Sequence, residues 1–166
     1  MLEAKLDAQA LNKLLAKLEK APEVFTRARS SAFDAAAPKL KRALDAQITA
    51  TIGDSHGKVR SWQEQVVGSR GGYAAVRPKK DAYTAPTKKM GRRYAVGYVT
   101  NAINSGHRFP GQSVRGKGQR ARADKLTTGR VSGRYFYDRA QSSVSAIAQA
   151  TVEQVMDTLT KHLEGT

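Results

Sequence analysis

The chain has 166 residues, 40% of them apolar, and no cysteine, which suffices for one domain with a sizeable core and excludes disulfides and thiolate metal sites. Its net charge of +15 is local: residues 1–56 hold nine Lys/Arg against seven Asp/Glu, residues 135–166 two against four, and residues 57–134 eighteen against Glu64, Asp81 and Asp124. A field this one-sided selects a polyanionic environment, either nucleic acid or the acidic face of a protein partner.

A short LEAKL could open the chain as a strand, and Asp7 can cap a helix in which Leu11, Leu14, Leu15 and Leu18 follow the spacing of one buried stripe. The Ala21-Pro22 step breaks that helix, with Pro22 suited to the first turn of the next one. An Ala-rich second helix then carries Val24, Phe25, Ala28, Phe33, Ala36, Leu40, Leu44 and Ile48, bending near Pro38 and ending at GDSHG, residues 53–57. Val59–Val67 and Tyr73–Arg77 read as short strands around the turn GSRGG, whose glycines tolerate positive φ. RPKKDAYTAPTKKMGRR, residues 77–93, is a polar basic connection, and YAVGYVTNAINSGH, residues 94–107, fits either a strand or a short helix.

Residues 108–134 contain only Phe109, Val114, Leu126 and Val131 as large apolar groups. They cannot bury enough surface to offset their ordering entropy, so an exposed loop or arm is expected there. A short strand-like RYFY follows. Asp138 then starts a long helix to Leu163, with Ala140, Val144, Ile147, Ala148, Val152, Val155, Met156, Leu159 and Leu163 on one broad face and Gly165 as its stop; this helix should dock on the sheet.

No constellation in the chain points to catalysis, a metal or a cofactor. GQSVRGKG, residues 111–118, matches a phosphate-binding loop at Gly111, Gly116 and Lys117, but Gly118 stands where a magnesium-binding hydroxyl belongs. Neither a buried strand before it nor an apolar helical stripe after it is present. His56, His107 and His162 are scattered without ligand spacing, and Ser142, Ser143 and Ser145 lie off any nucleophile elbow. Glu153 and Asp157, one turn apart, read as a solvated helix face. Nowhere do 18 apolar residues run together, and the first 20 residues lack an apolar leader core, so a soluble protein made in a cytoplasm, without a membrane partner, is expected.

The basic arm remains. Arg108, Arg115, Lys117, Arg120, Arg122, Lys125, Arg130 and Arg134 could neutralise phosphates, or meet an acidic protein neighbour. Only Phe109 interleaves them, so base stacking has little support, and no base-reading motif is present. Contact with DNA would run through backbone charge, without sequence preference.

The order of parts resembles the small bacteriophage neck and tail-completion proteins, the head-tail joining family counted among minor tail proteins. Gly57, Lys58, Val59, Arg60 and Ser61 look like that family's TG-x-L-x-x-S element without the preceding Thr. Tyr94 to Gly106 is similar to YA-x-x-V-x-x-G with extra residues between. Gly133, Arg134, Tyr135, Phe136, Tyr137 and Ala140 resemble ARPFL-x-x-A, with Tyr135 in place of the proline. Residues 108–129 depart from the family's compact pattern. The resemblance implies a structural virion protein without enzymatic activity, forming a ring at the head-tail junction or tail end around the channel through which the genome leaves.

Residues and resemblance together give the expectation: a single α+β domain over residues 1–166, with N-terminal helices and a long C-terminal helix packed on a small, mainly antiparallel sheet, and the basic arm inserted before the last strand. The chain would assemble with itself as a symmetric ring through sheet edges and loops, next to neck, connector or tail-tube proteins and genome DNA. The competing expectation is a free nucleic-acid-binding protein with a flexible basic arm.

Overall fold

A computed structural model of the chain describes residues 8–86, 91–108 and 130–165. The fold is α+β and mainly helical. In chain order come α1 (Ala8–Ile52), α2 (Lys58–Ser61), β1 (Gln63–Val67), a 3-10 turn (Ser69–Gly71), β2 (Ala74–Pro78), α3 (Val96–Ser105), β3 (Gly106–Arg108), β4 (Arg130–Ser132) and α4 (Phe136–Glu164). The strands form two separate two-stranded sheets, β1-β2 and β3-β4, instead of one. The expected strand LEAKL and the Asp7 cap lie outside the described residues, while β4 and the end of β3 fall within residues 108–134, where a loop or arm is expected, and residues 109–129 lie between the two strands outside the described residues.

The chain divides into two compact units. The first comprises Met1–Leu40, Gln65–Ala75 and Ser143–Thr166, and the second Lys41–Glu64 and Val76–Ser142. Their charges differ sharply: the first unit's sequence holds nine Lys/Arg against eight Asp/Glu, and the second's twenty against six. Nearly the whole excess therefore belongs to the second unit.

In the first unit α1 and α4 lie antiparallel. The Lys17 ammonium donates to Leu163 O at 2.9 Å, and His162 Nε2 lies 3.1 Å from Lys17 O. Further along, Phe25 and Phe33 share a groove with Val155 and Met156, and Leu40 shares a cavity with Val144. This pairing explains why α1 does not break at Pro22, as expected from the sequence, but runs through both Pro22 and Pro38. Proline removes one ladder donor. Residues on either side of Pro22 grip the same partner helix, so a break would forfeit one of those contacts. Ala32, Ala36, Ala37, Thr151 and Val155 are buried here, and the small side chains let the helices approach closely.

The leucine stripe does not behave as expected: Leu14, Leu15 and Leu18 are 45%, 50% and 48% exposed. The tip of the β1-β2 hairpin covers a different part of α1. Gly71, at φ +60, passes so close to Ser30 that a Cβ would sit 2.5 Å from the Ser30 Cα, which is why the turn GSRGG needs its glycine there. Ala74 closes a small apolar cavity with Phe33, Ala36 and Ile147, so α4 meets the hairpin at this point.

The β1-β2 pairing is antiparallel, with Gly68 N donating to Tyr73 O at the turn and Lys79 N to Trp62 O at the open end. The strand expected at Val59–Val67 begins only at Gln63, because residues 58–61 wind into α2 after the left-handed Gly57. Buried Asp54 organises that turn: Oδ2 accepts the Arg60 amide at 2.9 Å and faces the Arg60 guanidinium at 3.5 Å. Burial works to raise its pKa, but the amides of Arg60, Val59 and Lys58, together with the Arg60 charge, outweigh it and hold the carboxyl below its ordinary value.

Candidate nucleic-acid or partner interface

The basic surface of the second unit is built around α3, the segment whose sequence fits either a strand or a helix. Helix is the outcome, with Val96 and Thr100 buried on one face. Ten residues of helix span about 15 Å, and each end holds a different part of the surface. At the N-terminus Val96 N donates to Ala82 O, and an isolated bridge pairs Tyr83 with Ala95. Thr84 and Tyr94 exchange two hydrogen bonds, so the connection carrying Arg92 and Arg93 is anchored to the helix.

At the C-terminus α3 runs directly into β3, which pairs antiparallel with β4 as Gly106 with Ser132, His107 with Val131 and Arg108 with Arg130. This three-residue ribbon is the stem that joins the two ends of residues 109–129. Its geometry rests on Gly106, at φ 78 and ψ 170, a region open essentially to glycine alone. A Cβ on Gly133 would lie 2.5 Å from Asn104 O. Arg134 N donates to Ile103 O and Tyr135 N to Asn104 O, while Asn104 Oδ1 accepts the amide of Tyr137 at 3.1 Å. The N-terminus of α4 is thus capped from α3. RYFY is therefore not a strand: Tyr135 takes a left-handed φ of 53 and the helix starts at Phe136, two residues before the expected Asp138.

Beneath the stem sits a buried polar chain. The Tyr137 hydroxyl donates to Gln63 Oε1 at 2.8 Å, and Gln63 Nε2 donates to Val59 O and Thr100 Oγ1 at 3.3 and 3.4 Å. Burial pushes the Tyr137 hydroxyl up to about 12. Tyr137→Phe should cost about 1–3 kcal/mol by leaving the amide oxygen unpartnered. In the unfolded chain the phenol titrates near its ordinary value of about 10. The stability that Tyr137 supplies is therefore complete below that pH and lost as pH rises towards 12. Denaturation across pH 8–12 checks this: the gap between native chain and variant must close in that window, and a constant gap would refute it.

Of the eight arginines and lysines expected to make contacts, Arg115, Lys117, Arg120, Arg122 and Lys125 lie outside the described residues, as do Gly111 and Gly116. Arg108 and Arg130, expected within a loop, are instead strand residues, and the register sets them directly opposite one another. Arg134 is exposed, with its backbone fixed to α3. Lys79, Lys80, Arg92 and Arg93 are also exposed, and none of these five cations makes an ion pair among the described residues. Glu64 is occupied by Arg77 at 3.0 Å.

Four exposed tyrosines, none expected among the contacts from the sequence, join this surface. Tyr83, Tyr94, Tyr98 and Tyr135 are 62%, 40%, 68% and 46% exposed. The signal was their position at the edges of the basic segment, whereas aromatic interleaving was sought inside it. Tyr98 also lines an open cavity of about 300 Å³ with Asn101 and His107.

Among the described residues no His, Cys, Asp or Glu cluster could hold a metal, and no helix is long and apolar enough to cross a membrane. Glu153 and Asp157 are both exposed, bonded to Gln149 and Lys161 one turn away. No family model, curated protein or solved structure matches this chain.

Proposed function

We propose that this chain is a structural virion protein of a tailed bacteriophage, assembling as a ring at the head-tail junction or completing the tail, around the channel for DNA. The observation that carries the reading is the segregation of charge, with one near-neutral helical unit and one unit holding twenty Lys/Arg against six Asp/Glu. A ring built from such subunits multiplies that charge around one opening, where genome phosphates or acidic neck and tail-tube neighbours supply the counter-charge. Its resemblance to head-tail joining proteins supports the same reading, and its role is assembly and not catalysis.

A free nucleic-acid-binding protein is the second reading, favoured by the exposed Lys79, Lys80, Arg92, Arg93 and Arg134, which make no ion pair among the described residues. Native mass measurement separates the two. A closed oligomer, alone or on purified particles, is expected for the virion protein. A chain that stays a monomer or dimer while binding duplex DNA overturns the ring.

A further inference from the structure

The α1–α4 pair of the first unit is a two-helix layer with one side bare. Leu14 and Leu18 lie eleven and seven residues before Phe25, within about 20° of one line along α1. Val152 stands in the same relation to Leu159 and Leu163 on α4. Because the helices are antiparallel, these two stripes run side by side, from the groove shared by Phe25 and Val152 towards the contact of Lys17 with Leu163. The groove has a volume of about 180 Å³. Its rim is bare as well: Val152 and Met156 are 62% and 53% exposed, and Phe25 39%. Leu159 and Leu163 are half-buried, but Leu14, Leu18 and Phe25 on α1 and Val152 and Met156 on α4 are exposed together, and a helix pair must bury its apolar stripe against another layer.

We propose that a second copy of this chain covers the bare face, through the same face turned by a two-fold axis. Charge selects that occupant. Two copies meeting through their second units would set one strongly basic surface against another, whereas the first unit, at nine Lys/Arg against eight Asp/Glu, can approach its own image without net repulsion. Lys13 and Lys20 on α1 and Glu164 on α4 are exposed and offer opposite signs to a second copy whose α4 crosses α1. A polyanion gains nothing from an apolar, near-neutral face. The inference shares with the ring reading the premise that copies of the chain meet; a two-fold contact by itself closes a dimer, and a ring adds a second contact through sheet edges and loops.

The test is the oligomeric mass of the full chain at about 1–100 µM, beside Val152→Glu and Met156→Glu. Both positions are more than half exposed, so the folded monomer tolerates them, and circular dichroism verifies that. Each should weaken self-association at least about 30-fold, as expected when a charge replaces an anchor side chain in a desolvated contact. Arg92→Glu, in the basic unit, should leave association unchanged or strengthen it. An oligomer that survives both glutamate variants overturns the proposed face and leaves the ring reading standing. A native chain that remains monomeric throughout overturns the self-contact and counts against the ring as well.

Discussion

Gly106→Ala should lower the melting temperature by about 10 °C. At φ 78 and ψ 170 an alanine carries about 1–3 kcal/mol of backbone strain, and its Cβ would also drive into Val131 O and to 2.7 Å from Gly133 N. Overpacking at a backbone contact adds about 1–3 kcal/mol more, because no flexible side chain is there to give way. Each kcal/mol shifts the midpoint of a chain this size by about 2–4 °C. Gly91→Ala is the matched control: it also has positive φ, at 60, but nothing lies within 4 Å of the added Cβ. Its drop should be no more than about a third as large. Equal drops in the two variants would mean that the crossing of β3 and β4 at the foot of the arm is not tight, and the stem would lose its role in holding Arg108 and Arg130 together.

Replacing Arg115, Lys117, Arg120 and Arg122 together by alanine should make binding to duplex DNA both weaker and less sensitive to salt. Each neutralised phosphate contributes a slope of about −0.9 in log K against log salt, so four contacts account for between 3 and 4 of the slope, roughly a hundredfold in affinity between 50 and 200 mM. Duplexes of unrelated sequence should behave alike, since the sequence carries no base-reading motif. Fluorescence anisotropy with two such duplexes over a salt series gives the answer. An unchanged slope would assign the arm to an acidic protein neighbour instead, and loss of the ring in the same variant would then locate that neighbour in the assembly.

The sequence alone determined where the charge lies, because the counts of Lys/Arg and Asp/Glu along the chain need no geometry. It also determined the long C-terminal helix, whose apolar positions recur at helical spacing and whose end is fixed by Gly165, and the hairpin around GSRGG, whose glycines define a turn by local chemistry. The α+β class follows from these local signals. What failed was every feature decided by a distant partner. Pro22 reads as a break, yet α4 holds the residues on both sides of it in one helix. Leu14, Leu15 and Leu18 read as a buried stripe, yet periodicity reports only that one face is apolar, not that anything in the same chain covers it. RYFY reads as a strand, yet Asn104, about thirty residues earlier, caps Tyr137 and draws Phe136 into the helix.

The candidate surface divides in the same way. Its arginines and lysines were legible because charge is a property of composition. The pairing of Arg108 with Arg130 was not, since strand register is set by the Gly106 and Gly133 contacts with residues across the stem. Local sequence fixed which residues are apolar, charged or free to take positive φ. Only tertiary contact decided which apolar stripe is buried, where α1 and α4 begin and end, and which residues pair in the β3-β4 ribbon, because those outcomes depend on burial against groups far away along the chain.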